Sequence, residues 1–72
     1  TMRMNQGMAI LYSEVDGEEV VATYREFPSS ADAERYIVAL LGTELNGEMI
    51  LWGRLYENID DVWTFTGSEF EA

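Results

Sequence analysis

No cysteine and no histidine occur anywhere in these 72 residues. The chain therefore lacks both disulfides and the usual zinc ligands, the staples that commonly stabilise very small domains. Whatever it folds into must be held by apolar burial. A domain of this size buries only about 60% of the surface its unfolded chain exposes, which leaves little margin. The material for a core is present, since 47% of the residues are hydrophobic and 12% aromatic. That is too apolar for a disordered acidic tail. We expect one folded domain over residues 1–72, with 1–7 as a flexible start.

The pattern along the chain reads β-β-α-β-β. Met8–Val15 is rich in strand formers, and Asp16-Gly17 is a strong two-residue hairpin signal. Glu19–Phe27 returns as a second strand. Apolar groups fall on both of its faces, so its buried side is open. Ser29 has the spacing of a helix N-cap with Asp32 three residues on. Ala33, Tyr36, Ile37, Leu40 and Leu41 form one helical stripe over about Ser30–Leu41, which Gly42 is placed to end. Thr43–Gly47 reads as a polar connection. Glu48–Glu57 reads as a third strand in which Met49, Leu51, Gly53 and Leu55 alternate with Ile50, Trp52, Arg54 and Tyr56. A turn at 58–61 leads to a fourth strand, Val62–Thr66, extending at most to Phe70 ahead of a fraying acidic tail. The expected fold is α+β, a four-stranded antiparallel sheet with one helix packed on one face.

Fourteen acidic residues against four arginines give a net charge of -10. A field of that sign repels nucleic acid and anionic membrane and attracts basic surfaces. No apolar run approaches the roughly 20 residues that a bilayer span requires. The lack of cysteine suits a reducing cytoplasm.

Without His and Cys, the commonest general base and the thiolate nucleophile are missing. The carboxylates crowd the two hairpin turns: Glu14, Asp16, Glu18 and Glu19 at the first, Glu57, Asp60 and Asp61 at the second. Carboxylates in turns are solvated, whereas a glycosidase pair must face across a cleft. No calcium-loop spacing and no phosphate-cradling glycine loop is present. We expect no catalytic residue, no metal site and no cofactor. Trp52, Tyr56, Trp63 and Phe65 stand on adjacent strands. They are either the sheet side of the core or an exposed cluster of the kind that anchors protein partners. No basic residue is expected among them, which disfavours base stacking.

Arg25-Glu26-Phe27-Pro28-Ser29-Ser30, continuing through the helix to Gly42, resembles the strand-to-helix passage of small phage-encoded anti-CRISPR proteins that act on the type I-F surveillance complex. The resemblance covers about a quarter of the chain, and we carry over no functional residue. It implies a small phage inhibitor that docks on a nucleic-acid-handling protein. The expected function is a non-enzymatic inhibitor in the host cytoplasm. It would bind a basic protein surface, such as a CRISPR or other nucleic-acid-binding complex, and block nucleic-acid access without binding nucleic acid itself. The expected contacts are Glu14, Asp16, Glu18, Glu19, Glu57, Asp60 and Asp61, with Trp52, Tyr56 and Trp63 as anchors. The alternative is an adaptor, immunity protein or antitoxin that binds through an aromatic sheet face. A homodimer is open in either case.

Overall fold

The computed structural model describes residues 5–72. Two long hairpins provide the frame. The first pairs β1 (Gly7–Val15) with β2 (Glu18–Phe27), and α1 (Ser30–Leu40) follows. A miniature hairpin comes next, β3 (Glu44–Leu45) with β4 (Glu48–Met49). The second long hairpin pairs β5 (Trp52–Ile59) with β6 (Val62–Glu71). The four long strands form one antiparallel sheet in the order β2-β1-β5-β6, so the two hairpins join through β1 and β5. The α+β architecture is the one expected. The first four residues of the expected flexible start lie outside the described residues. Gln6 already donates to the Phe27 carbonyl, and Gly7 is in register with Phe27.

The helix begins where the serine signal places it. Ser29 Oγ accepts from the Asp32 N–H at 3.2 Å, which satisfies one of the free first-turn donors. Ala33 and Ile37 are fully buried, and Tyr36, Leu40 and Leu41 pack around them. Leu41 caps the end, one residue earlier than expected, and Gly42 takes the left-handed conformation at φ 76°. The core lies between this helix and the sheet. It contains Ala9 and Leu11 of β1, Leu55 of β5, and Ile50. Gly53 makes the close approach workable, because a Cβ there would stand 2.7 Å from Ile37 Cγ2 and 2.9 Å from Leu11 Cδ2.

Three local features depart from the sequence reading. The polar connection at Thr43–Gly47 and the first residues of the third strand are instead the β3–β4 hairpin, turning at Asn46-Gly47. Gly42 and Ile50 then hold the ends together, with Gly42 N–H donating to the Ile50 carbonyl and Ile50 N–H to the Thr43 carbonyl. This breaks the alternation. Ile50 is fully buried on the helix side, not grouped with Trp52, while Met49 and Leu51 are exposed. A bulge explains the two apolar faces of β2. Leu11 pairs with Thr23 and Tyr12 with Val21, which leaves Ala22 as an extra residue packed against the core. The last strand runs to Glu71 rather than fraying, through an irregularity at Thr66–Ser68 where Thr66 Oγ1 donates to the Leu55 carbonyl.

Candidate functional site

Strand register divides the side chains between two faces. Ala9, Leu11, Gly53 and Leu55 meet the helix. The residues between them point the other way, onto a face that no described element covers. Tyr12 lies opposite Trp52, Ile10 opposite Arg54 and Met8 opposite Tyr56. On the outer strands, Val21 and Tyr24 continue these rows on one side, with Phe65, Trp63 and Glu69 on the other. Trp52 and Trp63 are therefore not the sheet side of the core: they share the open face with Tyr56 and Phe65.

The rings organise one another. Tyr12 and Trp52 stack with centroids 4.0 Å apart and planes 10° from parallel. Tyr56 and Phe65 meet at 5.5 Å, tilted by 46°. In the middle stands the Arg54 guanidinium, 4.7 Å from the Trp52 ring centre, 5.3 Å from Tyr12 and 5.5 Å from Phe65. Its Nε donates to Glu69 Oε1 at 3.2 Å. The expectation of a cluster without a basic residue is thus corrected. The alternation that put Arg54 between Trp52 and Tyr56 was the signal for it. Burial raises the Tyr12 hydroxyl above its ordinary pKa, Tyr56 adds to the rise, and Arg54 opposes it. Partial desolvation works against the Arg54 charge, but Tyr12 and Glu69 outweigh it and its pKa rises. Tyr12 and Met8 are shielded almost completely here without any help from the helix, whereas Tyr24 is 67% and Phe65 41% exposed.

The carboxylates do not form one surface. Because β1 and β5 are antiparallel with Gly7 opposite Glu57, the two hairpin tips point to opposite ends of a body 43 Å long. Asp16 and Glu18 sit at one tip, Asp60 and Asp61 at the other. Glu14 and Glu19 form a cross-strand pair beside the aromatic rows, on the open side. Glu57 faces the helix side and accepts from Ser30 Oγ at 2.9 Å, which separates it from Tyr56. Among the described residues the ion pairs are Arg35 with Asp32 and Arg54 with Glu69, while Arg25 lies over Phe27 and Tyr36. Most of the anionic groups are therefore left uncompensated.

Among the described residues no cavity is found, and no three acidic side chains converge as metal ligands would. No described helix is long and apolar enough to cross a membrane. The chain matches no protein-family model, and no curated protein or solved structure is significantly similar to it.

Proposed function

We propose that this chain is a non-enzymatic protein-binding module that docks through its open sheet face onto a basic protein surface. One observation carries the reading. Trp52 and Phe65, held around Arg54, share the sheet face opposite the helix with Tyr56 and Trp63, and no described element covers them there. Rigid aromatic groups offer large contact area at small entropic cost, and they dominate binding energy at interfaces. The charge of -10 selects cationic partners and speeds encounter.

The finer proposal is that the partner handles nucleic acid and that docking blocks its access, as a phage-encoded anti-defence inhibitor would. Its support is the fixed surplus of carboxylates and the resemblance in Arg25–Gly42. A second reading has an observation in its favour. The carboxylates at Asp16, Glu18, Asp60 and Asp61 lie at the far tips, outside the ring cluster around Arg54, as they would in an adaptor, immunity protein or antitoxin whose charge only maintains solubility.

The test is affinity capture from host extract, with and without nuclease, followed by binding kinetics at low and high salt. On the first proposal Trp52→Ala and Phe65→Ala each weaken the complex, an anchor by about 2 kcal/mol or more, and association slows as salt rises. Kinetics insensitive to salt would favour the second reading. Capture that requires intact nucleic acid, or turnover of a substrate, would overturn both.

A further inference from the structure

We infer that the occupant of the open face is an amphipathic helix of the partner, with an apolar stripe flanked by arginine or lysine. The inference rests on the docking reading above and supplies the partner's shape and chemistry.

The shape follows from the dimensions of the face. Strands lie about 4.8 Å apart and rise about 3.3 Å per residue, so the rows from Trp52 to Asn58 cover roughly 14 Å by 20 Å. One helix is about 10–12 Å across and rises about 1.5 Å per residue, so about 13 residues would span that length. The helix and the sheet are two layers, and a helix on the open face would be the third layer of a helix-sheet-helix arrangement. On the opposite side, α1 with 11 residues covers the same two central strands.

The chemistry follows from the rim. Around the apolar rows stand Glu14 and Glu19 at one end, Glu26 on the β2 edge, and Glu69 and Glu71 on the β6 edge. Among the described residues of this face, Arg54, already bonded to Glu69, is set against these five carboxylates, which leaves a charge of -4. Glu14 and Glu19 are directly opposed like charges, an arrangement that a facing cation relieves. An apolar centre within a charged rim is the ordinary anatomy of a protein interface. The same rim disfavours a second copy of the chain, which would bring carboxylates of the same sign with it.

The experiment uses the full chain and two synthetic peptides of identical composition, leucine and arginine. One is arranged as a helical stripe and the other is scrambled. Binding is read from the indole N–H signals of Trp52 and Trp63 in NMR titrations. The striped peptide should shift both indoles and bind at least about tenfold tighter than the scrambled one. Glu14→Gln with Glu19→Gln, and separately Phe65→Ala, should each weaken it about tenfold. These exposed substitutions spare the helix-side core. Equal binding of both peptides would overturn the inference, as would shifts confined to the hairpin tips or closure of the face by a second copy on ultracentrifugation. If the striped peptide fails while the captured partner still depends on Phe65, the helix is wrong and the docking face stands. If the captured partner is also indifferent to Phe65, the reading beneath it has failed.

Discussion

On the helix side of the sheet the fully buried side chains are small and aliphatic: Ala9, Leu11, Ala33, Ile37 and Ile50. On the open side the shielded groups are Tyr12 and Met8, covered by Trp52 and neighbouring side chains. The same strands build both faces, yet the residue types differ for a physical reason. A covering helix must come close to the backbone, and at Gly53 and Gly7 it leaves no room even for a Cβ. A face without a cover must shield itself, and flat stacked rings with a guanidinium among them do so with few residues. One face is specified by closeness, the other by breadth.

The sharpest way to break that contrast is to truncate one side chain on each face. Ile37→Ala removes a fully buried group and opens a cavity between helix and sheet. It should cost about 2–5 kcal/mol in urea unfolding, a large part of the total stability of so small a domain. Phe65→Ala, 41% exposed, should cost about 1 kcal/mol, the loss of its contact with Tyr56 and of part of the arginine cluster. Similar losses at the two sites would show that the open face belongs to the core.

Gly53→Ala tests closeness directly. The added methyl meets Ile37 Cγ2 and Leu11 Cδ2 below contact distance, so it should destabilise by about 1–3 kcal/mol. Combined with Ile37→Ala, which removes the nearer of the two methyls, the loss should be clearly less than additive. Additive losses would mean that the helix does not sit where the glycine admits it.

The helix side was the easier face to read in the sequence. Ser29, the stripe from Ala33 to Leu41, and Gly42 are local signals, and each is set by chemistry within one or two turns. The Asp16-Gly17 hairpin was legible for the same reason. The open face was harder, because two non-local events scramble its alternation. The extra residue at Ala22 shifts the phase of β2, and the small β3–β4 hairpin turns Ile50 inward while Trp52 points outward. Neither event has a sequence signal beyond Asn46-Gly47. The anchors Trp52, Tyr56 and Trp63 were identifiable as a set, but their face was not. The separation of the carboxylates into two ends also depends on the β1–β5 register, which only tertiary structure fixes.

The Tyr12 hydroxyl offers a milder probe of the open face. Its pKa lies above the ordinary 10.0, chiefly because burial disfavours the phenolate. The neutral form is thus favoured in the folded state. Its contribution to stability is full below the unfolded value near 10 and is lost as pH rises through the higher folded value. Ultraviolet titration should show a tyrosine ionisation above pH 10, and Tyr12→Phe should remove that step. The variant's unfolding midpoint should also fall less steeply in that alkaline range. An unchanged titration curve would mean that the ring is not sheltered by Trp52.

The smallest effect is expected beyond both faces, at the tip of the second hairpin. All three two-residue turns place both central residues at positive φ, at Asp16-Gly17, Asn46-Gly47 and Asp60-Asp61. Only the last has a side chain at its second position, with Asp61 at φ 65°. Glycine adopts that conformation without the clash that a Cβ brings. Asp61→Gly should therefore stabilise the fold by about 0.5–1 kcal/mol, net of the flexibility glycine adds to the unfolded chain. Part of the gain comes from removing one negative charge beside Asp60. The substitution touches neither the aliphatic core nor the stacked Tyr12 and Trp52 rings, so the Trp52 indole signal should stay in place while thermal unfolding moves up. If that signal moves, the tip and the aromatic face are one structural unit, and the breadth of the open side extends past the paired strands.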